Sequence, residues 1–473
     1  AADAADPAAA LLKWVTDGGG LCEGNVQLAS EGGAGWGLTA SRALSKGEPV
    51  MRLPRSLALT YSEAGSDPRL LTLVQRVPAE LWSMRLALAL LAERARGEES
   101  DWAPYIALLP ASYPGCPLFW SGEDLQELQY PPLAAQVAKR CRFLLDFSKG
   151  ELEGLPDKPD QDPFGGVSVE VNGLGWALAA TSSRAFRAAG PRQPGALLPL
   201  IDMCNHSFEP NCAIEGDKES GSSGALTVVA QRDIAEGEAL SLCYGELPND
   251  FLLLDYHFVA DVNRNDVVEL AFDARMFSAA AQVSQVPEPN LNKDGEPHPW
   301  QLKSLEKLCL VGRGADRKLS VRALPGKEID PRLVAAARVL AAQREEDLQG
   351  AHGQLALEGR LETNATLLVV SQLVLTLQTF ATSMDEDVEA LKLVASGKTQ
   401  MTAARLNATR FRLGKKRAVL AAIGVLTDEL GEERHAQFLN LGDGSEGQMA
   451  AAPAVQGEKR PPRAATSKGF GKR

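Results

Sequence analysis

Two stretches of short apolar runs punctuated by turn residues, 36–60 and 196–260, are held apart by a long helix-forming stretch from about 68 to 185. That interruption is the strongest constraint in the chain, because it predicts a β structure carrying a helical insertion. In the first stretch, Leu38 and Ala40 lead into Ser41-Arg42-Ala43-Leu44, and Lys46-Gly47-Glu48 turns the chain. Val50-Met51-Arg52-Leu53 then runs back until Pro54, which lacks the backbone donor a strand needs. The second stretch reads as short strands and turns throughout. Leu197 to Ile201 enters a polar turn, Asp202 to Cys212; Leu226 to Ala230 and Ala239 to Tyr244 are strands about the turn Ile234 to Glu238. In the insertion, Leu81 to Arg96, Leu125 to Phe147 and Leu174 to Ala188 have helical periods, and Leu152 to Gly166 is a loop.

Beyond about 275 the pattern is helical again. Asp330-Pro331 is a helix start, with a capping aspartate and proline in the first turn. Leu367 to Phe380 is almost wholly apolar and predicts a central helix, and Ser383-Met384-Asp385-Glu386 is a capping box. The expected class is α+β, with an all-α C-terminal domain. The expected divisions are an extension over 1–22, the β domain over 23–270 with its insertion at 68–185, a helical domain over 271–435, and a disordered basic tail over 436–473. A chain of 473 residues is long enough for this.

Composition excludes several functions. With 45% hydrophobic and 23% charged residues, the chain is of ordinary globular make-up. A net charge of -12 argues against a nucleic-acid binder. No apolar run approaches the ~18 to 20 residues needed to span a bilayer, so no membrane association is expected. The seven cysteines are scattered without a Cys-x-x-Cys pair, which predicts free thiols and no structural zinc. The Ala-rich start at Ala1 would fit cleavage of a targeting segment or truncation.

Three segments could carry chemistry. Gly32-Gly33-Ala34-Gly35-Trp36-Gly37 could bring backbone close to a nucleotide, but a β-turn-β unit follows it, so a dinucleotide fold fails on context. Asp202-Met203-Cys204-Asn205-His206-Ser207 offers three metal ligands at best (Cys204, His206 and Cys212), and is a structural turn when taken alone. Cys243-Tyr244-Gly245 with Asp255-Tyr256-His257-Phe258 holds both tyrosines found after Tyr130.

In this order the three segments resemble the SET methyltransferases. Trp102-x-x-Tyr105-Ile106-x-Leu108-Leu109-Pro110, Phe119-Trp120-Ser121 and Ser183-Arg184-Ala185-Phe186 resemble, more narrowly, the subgroup typified by plant Rubisco large-subunit lysine methyltransferase. The resemblance runs over roughly 30–425 and loosens after the β domain. It implies a SET β-fold with a helical insertion, a helical substrate-binding domain, and S-adenosyl-L-methionine as cofactor. By match to the family's motifs, Ala34, Gly35, Trp36, Arg184, Asn205, His206, Tyr256 and Phe258 hold the cofactor, Tyr244 is catalytic, and Asp202 orders the turn or positions substrate. No metal is implied. The implied reaction is N-methylation of lysine in a non-histone protein, by a monomer that docks its substrate on the helical domain. The implied compartment is the chloroplast stroma, with cytoplasm or nucleus as alternatives.

The chain departs from the subgroup at His257, where glycine is usual, and at Ala188, where a second arginine is expected. It lacks the three-cysteine motif of many histone enzymes. The alternatives are a SET-scaffold binding protein without turnover, or a protein-histidine methyltransferase. The basic run Arg410-x-Arg412-x-x-Lys415-Lys416-Arg417 is a candidate docking surface for an acidic protein, or else a solvated helix face.

Overall fold

The computed structural model describes residues 6–22, 24–30, 35–61, 67–187, 195–216, 224–348, 359–428 and 430. Ala34, Ala188 and the expected tail over 436–473 lie outside them.

The β domain is a set of small sheets. Strand Trp36–Ala40 pairs antiparallel with Val26–Ser30. Strands Pro49–Pro54, Ala225–Ala230 and Cys212–Gly216 form a three-stranded antiparallel sheet in that order. Single bridges at Thr39–Ala239, Leu44–Ile234 and Leu59–Leu197 stitch the first stretch of strands to the second. The insertion therefore leaves and returns at neighbouring points of the β domain. Before it, helix Pro7–Asp17 is capped by Asp6 and buries Leu11 and Val15 in the same core.

The main insertion helices are Pro68–Gln75, Trp82–Ala95, Pro131–Phe147 and Val171–Arg184. Trp82–Ala95 packs along Val171–Arg184, where Ala87, Ala89, Ala177 and Ala180 are almost wholly buried and allow close approach. The helix expected over 125–147 is broken at Gln129, whose φ is +51°, and restarts at Pro131-Pro132. Its first turns bury Leu133 and Val137 in the C-terminal core, while Leu144 and Phe147 face the β-domain core.

The C-terminal region is helical as expected, with one strand among its described residues. Lys318–Arg322 pairs antiparallel with Val267–Ala271, so the region is not purely α. Asp330 caps helix Pro331–Ala341, and Ser383 and Glu386 form the capping box of Met384–Ala395. In helix Arg360–Gln378, every residue from Ala365 to Val374 is buried, which makes it the centre of this core. Residues Asn249–Tyr256, expected as strand or turn, form a helix. Its three consecutive leucines, Leu252, Leu253 and Leu254, are all buried, the last two in the C-terminal core, a demand that outweighs any alternation.

The basic run is corrected most sharply. It lies on helix Ala403–Asp428, but Arg412, Lys415 and Lys416 are buried rather than solvated or free to dock a partner. Lys415 Nζ donates to Asp250, to Asp266 Oδ1 at 2.8 Å and to the Val267 carbonyl at 2.7 Å. Arg412 and Lys416 share Asp387 at 2.8 and 2.6 Å, and Arg412 Nη1 also donates to the Glu127 carbonyl at 2.7 Å. These three residues form an internal clamp joining the two domains, while Arg410 and Arg417 remain at the surface.

Removing one member of such a buried set strands the others. Lys415→Met should lower unfolding free energy by about 3–5 kcal/mol in a denaturant titration, because Asp250 and Asp266 lose their cation. Arg410→Ala should stay within about 0.5 kcal/mol, since its ion pair with Asp261 is exposed.

Candidate active site

Several chain segments meet at the site. Asn205–His206 runs parallel to Ser241–Leu242, and the Ser207 N–H continues the contact to the Leu242 carbonyl at 3.0 Å. This lays the Asn-His turn beside the short strand that leads to Tyr244. The third segment is the end of helix Val171–Arg184, which leads through Arg184 into the short strand Ala185–Phe186.

Entry to the Asn-His turn needs a sharp bend. Leu200 has φ +74°, a region disfavoured for leucine, and the tight turn Ile201–Met203 follows it. The bend drives Asp202 inward, where its carboxylate is fully buried. Asp202 Oδ2 accepts from the Tyr105 hydroxyl at 2.7 Å and from Arg184 Nη1 at 3.4 Å. Burial pushes the Asp202 acid up from its ordinary value, and the Arg184 charge pulls it back. Burial likewise opposes the Arg184 charge, but Asp202 with Tyr113 and Tyr105 holds it above the usual arginine value. Asp202, assigned by resemblance to the turn or the substrate, grips Arg184 from inside the domain.

This buried pair keeps bonding capacity in hand. Arg184 Nε and Asp202 Oδ1 have no hydrogen-bond partner among the described residues. A guanidinium beside a carboxylate, each with an unused buried atom, suits the carboxylate and ammonium of an amino-acid group. Tyr105 and Tyr113 are site residues that the sequence does not mark as such. The Tyr105 motif was visible, but nothing in the sequence ties it to Asp202.

The other side is aromatic. Tyr256 stacks on Tyr244 at 4.9 Å between centroids, and Phe186 meets Tyr244 edge-on at 6.4 Å. His206 lies 5.2 Å from Tyr244, 6.0 Å from Phe258 and 4.5 Å from Phe208. The Tyr244 hydroxyl donates to the Cys204 carbonyl at 2.7 Å, and its N–H donates to His206 Nδ1 at 3.1 Å. An Nδ1 that accepts belongs to a neutral imidazole, and burial lowers the His206 pKa to match. Burial also raises the Tyr244 phenol and pushes Tyr256 to about 12, so neither is a base near neutrality. Asn205 is exposed beside them.

Gly35 and Trp36 lead into the strand paired with Val26–Ser30. Gly35 has φ +94°, which explains glycine there. Ala34 lies outside the described residues. Among those residues, no group of three or more His, Cys, Asp or Glu could hold a metal ion, and no helix is long and apolar enough to cross a membrane.

The fold and this arrangement define a SET-type domain with a helical partner. Residues 35–245 match the SET domain family and residues 294–419 the Rubisco LSMT substrate-binding family, so the chain belongs to the SET-domain proteins that carry this second domain. It is similar to the actin-histidine N-methyltransferase of Drosophila melanogaster, 29% identical over 292 residues, covering 58% of this chain and 52% of that protein. The Gallus gallus protein of the same name is 28% identical over 295 residues, covering 58% and 46%. The chain thus spans about half the length of these curated relatives. The crystal structure of the SET domain of LSMT bound to lysine and AdoHcy superposes with TM-score 0.63 at 17% identity, covering 94% of this chain and 97% of that one. The structure of Rubisco LSMT bound to AdoMet gives 0.62 at 18%, covering 90% and 93%. These two likenesses establish the fold.

His257 provides a pH test of the packing beside the site. It lies edge-on to Tyr113 at 5.4 Å, and burial, with Arg140 and Arg184 nearby, lowers its pKa from 6.5 to about 3. The folded state disfavours the protonated ring, so its contribution to stability is present above pH 6.5 and is lost as pH falls toward 3. His257→Asn, which tolerates the same backbone but does not titrate, should lose less stability than wild type between pH 7 and 5. The difference in denaturant unfolding free energy should be roughly 2 kcal/mol at most.

Proposed function

We propose that the chain transfers a methyl group from S-adenosyl-L-methionine to a side-chain nitrogen of a protein, with lysine as the acceptor. The observation that carries this reading is the buried Arg184–Asp202 pair, with Nε and Oδ1 unused, at one side of an aromatic-walled site whose other side holds the Tyr244 hydroxyl. The family match and the similar structures bound to AdoMet and AdoHcy support the cofactor.

The cofactor supplies an electrophilic methyl on a sulfonium. Arg184 would take its carboxylate and Asp202 its ammonium. Gly35, Trp36 and the backbone of Asn205 and His206 would hold the nucleoside, with Tyr256 and Phe258 as walls; Ala34 belongs to the same assignment. The Tyr244 hydroxyl and the Cys204 carbonyl mark where the acceptor nitrogen is oriented. An amine must be neutral to attack, and the rings around Tyr244 disfavour its charged form by excluding water. With its pKa raised, Tyr244 orients the nucleophile rather than deprotonating it.

Phe186 and Tyr256 support lysine, because a four-carbon stem packs against rings. An imidazole acceptor would need a polar partner to fix its second nitrogen. Histidine is the second reading, favoured by the names of the relatives. The protein substrate would dock on the C-terminal domain, away from the buried Arg412–Lys416 clamp.

Tyr244→Phe should lower methyl transfer by about 100-fold or more while cofactor affinity stays within about twofold. Activity near wild type would remove Tyr244 from this role. Labelled transfer into a cell extract, with the modified residue read by mass spectrometry, should show methyl-lysine. Methyl-histidine would replace the acceptor, and cofactor binding with no labelled protein would favour a binding scaffold.

A further inference from the structure

The carbonyls of His257 and Gly115 accept from a single side chain, Asn407 Nδ2, at 2.9 and 3.4 Å. Asn407 is 8% exposed and sits on helix Ala403–Asp428 of the C-terminal domain. His257 separates two aromatic walls of the site, Tyr256 and Phe258. It also ends helix Asn249–Tyr256 in the left-handed region, at φ +70°, with its N–H on the Leu252 carbonyl. Residues other than glycine are uncommon there, histidine less so than most, and the surroundings help to hold the turn.

Three polar contacts hold it. Ser182 Oγ donates to the Asp255 carbonyl at 3.1 Å and Arg140 to the Asp255 carboxylate at 2.6 Å, both from insertion helices. Asn407 supplies the third, from the other domain. Gly115 is shaped to the same contact: a Cβ there would lie 2.5 Å from the His257 carbonyl oxygen, so glycine lets two carbonyls crowd under one amide.

We infer that Asn407 is a positioning residue through which the C-terminal domain sets the Tyr256-His257-Phe258 turn, and with it the wall of the cofactor and methyl-transfer site. The inference rests on the reading of that site given above. Tyr256 stacks on Tyr244 and Phe258 faces His206, so a displaced turn moves both rings relative to the groups that meet cofactor and acceptor.

The test uses the full chain, S-adenosylhomocysteine affinity by calorimetry, and thermal unfolding. Asn407→Ala should bind about tenfold more weakly. Adding His257→Gly to it should recover most of that loss, because glycine adopts the left-handed turn without being held. Arg405→Ala, on the same helix as Asn407, removes a largely solvent-facing ion pair with Asp124 of the insertion and should bind as wild type does. Unchanged affinity in Asn407→Ala overturns the role. So does a double variant that binds no better than the single one, since general damage to the domain interface would not respond to glycine at 257. If Asn407→Ala does not fold, Asn407→Ser is read in its place with the same two outcomes. Failure of the wild-type chain to bind S-adenosylhomocysteine is a separate result, which removes the functional reading and this inference with it.

Discussion

A charge withdrawn from water must find its partner inside the protein, and helix Ala403–Asp428 withdraws three. Lys415 has no exposed side-chain surface and reaches Asp250, at the start of the helix that ends in Tyr256, and Asp266, just before strand Val267–Ala271. Arg412 and Lys416 share Asp387 of the neighbouring helix, and Arg412 crosses to Glu127 of the insertion. A buried ion set contributes little net stability relative to a well-packed apolar one, but it tolerates few alternative arrangements. Here it fixes the C-terminal helix against the elements that carry Tyr256 and Phe258. The geometry of Tyr256 and Phe258 therefore depends on both domains.

The same logic operates at smaller scale within the site. Arg184 and Asp202 are buried together, and Tyr105 fills one of the carboxylate's accepting positions. What remains unused points to a ligand with both charges, since leaving such atoms unpaired is otherwise unfavourable. Across the site the polar demands are few. The Tyr244 hydroxyl and N–H are satisfied by Cys204 and His206, which leaves aromatic faces as the dominant surface. A site of this kind works by alignment and exclusion of water, with no strong base among its aromatic side chains.

Much of this was legible in the sequence because the motifs are local. Gly35-Trp36, Arg184, Asn205-His206 and Tyr244 each sit in a short recognisable segment, and their order carried the fold and its helical insertion. The features that escaped are those in which the deciding partner is distant. The basic run read as surface because its acidic partners, Asp250, Asp266 and Asp387, lie far away along the chain and only the fold brings them near. The helix Asn249–Tyr256 was hidden because three consecutive leucines suit a buried strand or a buried helix equally well. Asp202 was recognised but set toward the turn or the substrate, since its grip on Arg184 depends on a bend at Leu200 that no propensity predicts. His257 stood out only as a departure from glycine. Its positive φ now explains why glycine suits that position, and Asn407 shows one means by which histidine is held there.

The central claim is that one pocket binds the cofactor with its amino-acid end on Arg184 and Asp202 and its reactive centre at Tyr244. A crystal structure of the chain soaked with S-adenosylhomocysteine tests this directly. The account predicts the ligand carboxylate on Arg184, its ammonium on Asp202 Oδ1, and its thioether sulfur facing the Tyr244 hydroxyl between Phe186 and Tyr256. A ligand bound elsewhere, or with the adenine on Arg184 and the amino-acid end among the aromatic rings, would contradict it.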